Sequence, residues 1–148
     1  MAGINTARVV LGGILAGVVV NIGEYLLNEV ILQAQMRAAL ERLNLAPVTG
    51  GALVVFLLIG FILGLAMLWV YAAIRPRFGP GPKTAVYAGL AAWLLAYFCP
   101  GLGYMAMGLF PASLIVFGLV WGLIELPLAA VIGAWIYQEA PRPAAVGA

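Results

Sequence analysis

The stretch VVVNIGEYLLNEV, residues 18 to 30, decides the fold class, because it places a carboxylate inside what is otherwise a membrane-spanning helix. The fifteen residues from Val9 to Gly23 are almost entirely apolar, and Glu24 follows them directly. The apolar character continues to about residue 32, and a bilayer core needs about 20 apolar residues as helix. The stretch therefore predicts a transmembrane helix that carries an ionisable group within the membrane.

The composition extends this prediction to the whole chain. Of its 148 residues, 66% are hydrophobic and 8% are charged, and the mean hydropathy is +1.14. These values are typical of a polytopic membrane protein rather than of a soluble domain. We therefore expect a single transmembrane domain of all-α class, residues 1–148. The net charge of +2 is too small and too dispersed for a nucleic-acid-binding surface, so no nucleic acid is expected as a partner.

Two residue counts narrow the chemistry. Histidine is absent, and Cys99 is the only cysteine. The ligands that usually hold zinc or haem are therefore missing. An internal disulfide and the Ser-His and Cys-His nucleophile pairs are excluded as well. We accordingly expect no cofactor, no metal site and no catalytic residue, and we expect that the protein is not an enzyme.

The chain has four apolar segments long enough to cross a membrane, and we call them spans one to four. They lie at about residues 8–32, 51–74, 84–110 and 113–137. The link RPRFGPGPK carries Arg75, Arg77 and Lys83, and basic links stay in the cytoplasm. These features predict an antiparallel four-helix bundle in the inner membrane with both termini cytoplasmic. The Pro/Ala-rich tail, residues 140–148, is expected to fray.

The link after span one, AQMRAALERLNLAP, predicts a short amphipathic helix within residues 34–47. Its apolar residues recur at helical spacing opposite its charged residues, and Pro47 ends the pattern. We expect this helix to lie on the outer membrane surface. The alternative is that span one continues for a few turns into water.

Spans one and four each carry small and polar residues on one face. At 100° per residue, each set falls within an arc of about 80°. The residues are Gly13, Gly17, Asn21, Glu24 and Asn28 on span one, and Gly118, Gly122, Glu125, Ala129 and Gly133 on span four. Because small residues let membrane helices approach closely, we expect spans one and four to pack directly through Gly13, Gly17, Gly118 and Gly122.

The same two faces place Glu24 and Glu125 in the bundle interior, where we predict a polar pocket completed by Asn21 and Asn28. A carboxylate at the bilayer centre costs about 2.5 to 3.5 kcal/mol, so such a group usually has a partner or a task. Helix rise puts Glu24 about 24 Å and Glu125 about 15 Å above the cytoplasmic edge. Because Asn21 and Asn28 can donate hydrogen bonds to the charged form of Glu24, we predict that Glu24 ionises before Glu125. The alternative is that both acids are neutral and only hold helices together.

Span three contains a second irregularity, FCPGLGYMAMGLFP, residues 98–111. Pro100 removes a helix hydrogen bond, and Gly101 and Gly103 weaken the next turn, so we expect a kink or break that works as a gate. The alternative is an ordinary proline kink whose freed carbonyl is satisfied by neighbours. Trp121 and Tyr104 are candidates for the pocket wall.

This layout resembles an uncharacterised bacterial family of four-span membrane proteins, a domain of unknown function. The features that carry the resemblance are a glycine-rich first span, a short amphipathic link and a third span interrupted by proline. The fourth span ends in a small-residue turn, here AAVIGAW, residues 129–135. The resemblance covers most of the chain and implies a fold without an activity.

Two functions fit these features. The first is a non-enzymatic integral inner-membrane protein that acts as a homo-oligomer or as an accessory subunit, with membrane lipids and other membrane chains or itself as partners. The alternative is a small carboxylate-dependent transporter, in which Glu24 and Glu125 bind protons or a cation and the segment around Pro100 moves. An enzyme acting on lipids is the weakest third possibility, because two acids without a base, nucleophile or metal-ligand set leave little chemistry.

Overall fold

The structure, a computed structural model, describes residues 3–139. Within that range the chain is helical apart from short links and contains no β-strand. Four helices are long and apolar enough to cross a membrane: Thr6–Ile31, Gly51–Phe78, Pro82–Ala106 and Ala112–Ala134. The predicted all-α class and the four spans are therefore confirmed, and the names span one to span four refer to these helices from here on. The tail predicted to fray, residues 140–148, lies outside the described residues.

Spans two and three end at the places that differ most from the prediction. Span two continues through Pro76 to Phe78 and ends at Gly79, whose φ of 84° suits glycine and whose N–H bonds back to the Arg75 carbonyl at 2.8 Å. Span three ends early, at Ala106, because Gly108 with a φ of 63° turns the backbone out of the helix. Backbone conformation at a glycine, rather than the loss of apolar residues, sets both ends.

A short helix, Gln33–Arg42, follows span one where the sequence predicts a helix. Its Arg37 and Glu41 side chains are exposed, whereas Ala39 is buried. The Arg42 guanidinium donates to the carbonyls of Gly108 and Leu109 at 3.2 and 2.6 Å. These bonds tie the helix to the link between spans three and four.

Spans one and two make the closest contact in the bundle. Gly13 lies against Leu65, and Gly17 lies against Phe61. On the other helix, a Cβ added to Gly64 would overlap the backbone of both Gly13 and Gly17. The two backbones therefore touch, as small residues allow in membrane helices.

Span four packs against both span one and span two. Span one meets it where a Cβ on Gly12 would lie 2.6 Å from the Gly133 carbonyl oxygen. Ala16, Leu68 and Leu126, which are fully buried, fill the centre of the core. The predicted direct contact between spans one and four is thus present, but other glycines make it.

The prediction that Gly13, Gly17, Gly118 and Gly122 join spans one and four is wrong. Gly13 and Gly17 face span two, and Gly122 lies beneath a tyrosine ring of span three. No atom of the described residues lies within 4 Å of the position that a Cβ on Gly118 would take. The physical reason is that a helix in a bundle has several neighbours, and an arc of small residues does not say which neighbour it faces.

Span three packs on span four at two glycines. A Cβ on Gly89 would lie 2.5 Å from the Cα of Pro127, and one on Gly101 would lie 3.0 Å from Leu119. The Trp93 indole donates to the Leu119 carbonyl at 2.9 Å. The two helices are therefore held together along their length.

The end of the bundle that holds the beginning of span one also holds the end of span four. Arg8 donates to the Ile136 carbonyl at 3.4 Å, and Arg75 forms an ion pair with Glu139. The Tyr137 ring lies 5.7 Å from the Arg75 guanidinium. The basic residues of spans one and two are thus gathered at one end.

Candidate carboxylate site

Glu24 lies where the backbone of span one changes its hydrogen bonding. The α-helical part ends at Tyr25, and Leu26–Ile31 is π-helical. The Asn28 side-chain amide donates to the Glu24 backbone carbonyl and to Oε2 of its carboxyl group, each at 2.9 Å. A π-helical turn interrupts the regular hydrogen-bond ladder, which gives a side chain access to a backbone carbonyl. The structure therefore brings Glu24 and Asn28 together.

Tyr97 joins this group from span three. It lies in a second π-helical segment, Leu94–Phe98. Its hydroxyl donates to Glu24 Oε1 at 2.5 Å and lies 3.4 Å from Glu125 Oε2. The ring rests on Gly122, where a Cβ would lie 2.6 Å from Tyr97 Cδ1. One phenol hydroxyl therefore contacts two carboxyl groups from two different spans.

Glu125 is the most enclosed member of the site. The residue is 6% exposed, and its Oε1 has no hydrogen-bond partner among the described residues. The indole nitrogen of Trp121, one turn earlier, is likewise buried without a partner there. The Glu125 carboxyl lies over Gly23, and a Cβ on Gly23 would overlap it. The absence of a side chain at Gly23 thus makes the space for this carboxyl.

No basic side chain of the described chain neutralises either acid. Within residues 3–139 the only ion pair joins Arg75 to Glu139, at one end of the bundle. The same residues contain no cluster of three or more His, Cys, Asp and Glu side chains. Two carboxyl groups close together in a medium of low dielectric repel each other when both are charged. The arrangement can therefore hold a proton or a small cation between them.

The predicted difference in depth between the acids is not found, because both contact the same hydroxyl. Helix side chains lean toward the N-terminus of their own helix. Span one begins at the end where span four finishes, as the bond from Arg8 to Ile136 shows. The Glu24 and Glu125 side chains therefore lean toward each other, and counting backbone rise alone exaggerates their separation.

Asn21 is not a member of the site, which corrects the prediction. Its amide donates to the Gly17 carbonyl at 2.9 Å and to the Leu57 carbonyl of span two at 3.2 Å. The side chain fills the space over Gly60, where a Cβ would lie 2.5 Å from Asn21 Oδ1. Three residues before Glu24, Asn21 is rotated by about 60° on the helix. Its amide therefore serves the contact with span two and not the carboxyl pair.

The segment around Pro100 is irregular but not broken. The α-helix resumes at Cys99, directly after the π-helical turn, and runs through Pro100 to Ala106. A π-helical turn already disturbs the bonding that Pro would otherwise break, so the ring is accommodated within a continuous helix. Gly101 packs on span four, whereas nothing lies near Gly103. The expected break is therefore replaced by a wide turn.

The two aromatic residues expected in the pocket wall have different positions. Trp121 lies one turn from Glu125, as expected, with its indole nitrogen buried. Tyr104 is 46% exposed and stacks edge-on against Phe110, so it is not part of the site. Tyr97 takes the place that was expected for Tyr104.

A groove of about 340 Å³ adjoins the site on the side of the short helix. Asn28 lines this groove and also binds Glu24. The other polar lining includes two acids and one base, Glu29, Glu41 and Arg37. Asn28 thus separates the groove from the carboxyl pair.

The sequence prediction missed Tyr97 and Gly23. Tyr97 is 14 residues beyond Lys83, which places it about 21 Å along span three, between the depths expected for the two acids. That depth is a signal by which Tyr97 could have been found. Gly23 has no such signal, because a glycine in a glycine-rich span does not show which contact needs it.

Comparison with protein-family models, curated proteins and solved structures gives no match to this chain.

Proposed function

We propose that this chain is a non-enzymatic integral inner-membrane protein that works through its intramembrane carboxylate site, as a homo-oligomer or as an accessory subunit of a larger membrane complex. One observation carries this proposal: Glu24 and Glu125, from different spans, meet at the Tyr97 hydroxyl inside an apolar bundle. Ionisable groups at membrane depth are costly and typically mark functional sites. Its partners are membrane lipids and membrane chains, itself included.

The proposed architecture is an antiparallel bundle with both termini in the cytoplasm. The register of Gly13 on Leu65 and Gly17 on Phe61, which runs in opposite directions along spans one and two, supports the antiparallel arrangement. The basic link, residues 75–83, supports the orientation through the positive-inside rule. The helix Gln33–Arg42 then lies at the outer surface, with its charged face toward water.

A carboxylate-dependent transporter, coupled to protons or to a cation, is the second candidate function. It is favoured by the oxygen of Glu125 that has no partner among residues 3–139 and by the groove that reaches Asn28. In this function Glu24 and Glu125 bind the ion, and the π-helical turn before Pro100 is the moving part. This role fits the frequent occurrence of π-helical turns at functional sites within α-helices.

Two measurements on purified protein distinguish these functions. Native mass spectrometry after gentle extraction tests the first, which predicts a defined complex of this chain with itself or with another membrane chain. Proteoliposomes loaded with a pH-sensitive dye test the second, which predicts ion-driven pH changes that Glu24→Gln and Glu125→Gln abolish. Tyr104→Phe removes a hydroxyl outside the site, so it is the matched control and should behave like the unsubstituted protein. Monomeric protein without ion movement would contradict both functions.

A further inference from the structure

We infer that the ion held between Glu24 and Glu125 is a proton, and that the Tyr97 hydroxyl is the bridge that passes it from one carboxyl to the other. This inference rests on the transporter function proposed above and names both its ion and its relay. It follows from the donors that surround the Glu24 oxygens and from the Glu125 oxygen that has no donor among the described residues.

The hydrogen bonds around Glu24 fit a charged carboxylate. Its Oε1 accepts from the Tyr97 hydroxyl at 2.5 Å, and its Oε2 accepts from the Asn28 amide at 2.9 Å. A carboxylate can only accept hydrogen bonds, whereas a protonated carboxyl group must also donate one. Both Glu24 oxygens face donors, so the proton of the pair does not rest on Glu24.

The surroundings of Glu125 fit a protonated carboxyl group. Its Oε1 is buried without a partner among the described residues, a costly position for a charged oxygen. Its Oε2 lies 3.4 Å from the Tyr97 oxygen, which has lone pairs free to accept because its own proton goes to Glu24. A proton on Oε2 therefore has an acceptor in front of it.

The groups around the acids favour a proton over a metal cation. Hard cations take about six or more oxygen ligands. The Asn28 amide instead presents an N–H group to Glu24, which is a donor and not a metal ligand. The described residues also contain no cluster of three or more metal-binding side chains. A proton needs only the two carboxyl oxygens and the hydroxyl between them.

Among residues 3–139, no other charged side chain bonds to either acid. Tyr97 of span three contacts Glu125, and Glu24 of span one shares the same Tyr97 hydroxyl. The charged residues of span two, Arg75 and Arg77, lie near the link at its end, where Arg75 pairs with Glu139. The proton equilibrium of the site is thus set by these two acids and the phenol.

The transfer is a balanced exchange of two O–H bonds. The O–H bond of Glu125 breaks as a new one forms on the Tyr97 oxygen, while the original Tyr97 O–H bond breaks as one forms on Glu24 Oε1. The net result moves one proton from Glu125 to Glu24, and Tyr97 is neutral before and after. From Glu24 the route continues past Asn28 into the groove that Asn28 lines.

Infrared difference spectroscopy in lipid nanodiscs, combined with proton flux into dye-loaded proteoliposomes, tests this inference. Tyr97→Phe keeps the ring that packs on Gly122 and removes only the hydroxyl. We expect the unsubstituted protein to show a protonated carboxyl band that disappears in Glu125→Gln. In Tyr97→Phe the band should move to higher frequency, since the carboxyl loses its acceptor, and proton flux should fall at least about tenfold. Exchange of Na⁺ for K⁺ in the buffer should leave the flux unchanged.

Glu24→Gln is the second variant, because it keeps Tyr97 and removes the carboxylate that receives the proton. It should retain the protonated band and lose the flux, whereas the control Tyr104→Phe should alter neither. A band that Tyr97→Phe leaves in place, or a flux that requires Na⁺, would overturn the inference. A band that moves in a protein without any flux would support the proton bridge and count against the transporter function.

Discussion

Two contacts of span one use glycine for opposite purposes. Against span two, the space left by the missing side chain at Gly64 is filled by the backbone of Gly13 and Gly17. Nearer its other end, the space over Gly23 is filled by the carboxyl group of Glu125. The first contact brings two helices together, whereas the second keeps room between helices for a polar group.

The difference shows that small residues in a membrane bundle do not have a single meaning. A glycine that faces a backbone sets the distance between two helices, and any added atom must push the helices apart. A glycine that faces a side chain gives that side chain a place, and an added atom can be accommodated if the side chain moves. The four substitutions below test this distinction in order of expected effect.

Gly64→Ala should give the largest loss of stability. Its Cβ would overlap the backbone of span one, which cannot move aside without separating the helices. Overpacking costs about 1 to 3 kcal/mol, and we expect a value of about 3 kcal/mol here because the neighbours are backbone atoms. Unfolding titrations in mixed micelles measure the change. Gly118→Ala is the control and should cost close to nothing; equal stability of the two variants would contradict the backbone contact.

Gly23→Ala should destabilise the protein less, by about 2 kcal/mol, because the atom that it meets is the end of a side chain. The cost should depend on Glu125. In the double variant with Glu125→Ala, the loss of unfolding free energy should differ from the sum of the two single losses by about 1 kcal/mol or more. Strict additivity in this cycle would show that the Glu125 carboxyl does not occupy the space over Gly23.

Asn21→Ala should cost about 1 kcal/mol, within the range found for side-chain hydrogen bonds between membrane helices. It removes the bond to the Leu57 carbonyl and leaves the space over Gly60 empty. Adding Gly60→Ala should restore part of the loss, since its methyl group fills the same space. Thermal melts of the single and double variants measure the effect, and a double variant less stable than either single one would contradict this packing.

Glu125→Gln should have the smallest effect on stability, below about 0.5 kcal/mol, because an amide resembles a neutral carboxyl group in size and bonding capacity. Glu24→Gln should cost about 1 kcal/mol, since one of its two oxygens no longer accepts a hydrogen bond. The same melts compare the two. A Glu125→Gln variant much less stable than Glu24→Gln would indicate that Glu125 is charged in the folded protein.

The sequence predicts where the helices lie along the chain better than it predicts which helices pack against each other. Hydropathy locates all four spans, because crossing a bilayer requires long apolar helices. The faces that carry Glu24 and Glu125 follow from helical periodicity. Which helix each face meets depends on tilt and packing, and periodicity contains neither. For that reason the sequence predicts that Gly13 and Asn21 face span four, whereas both contact span two.

In span three, the sequence predicts the position of the irregular turn but not its π-helical form. Pro100 correctly indicates which part of span three is irregular, but no residue pattern indicates the π-helical turn before it. The π-helical segment of span one lies in an ordinary apolar run, Leu26–Ile31, interrupted only by Asn28 and Glu29. Tyr97 was missed because it lies inside such a segment, where the face that a residue presents departs from the regular count of 100° per residue.

The wide turn in span three also corrects the phase between the two glycines that pack on span four. Twelve residues separate Gly89 from Gly101, which would set them about 120° apart on a regular α-helix. One extra residue taken up by the π-helical turn reduces this offset to about 20°. Both glycines can then face span four at once, one at Pro127 and one at Leu119. Deleting a single residue from Leu94–Phe98 would straighten the helix and force it to give up one of these two contacts.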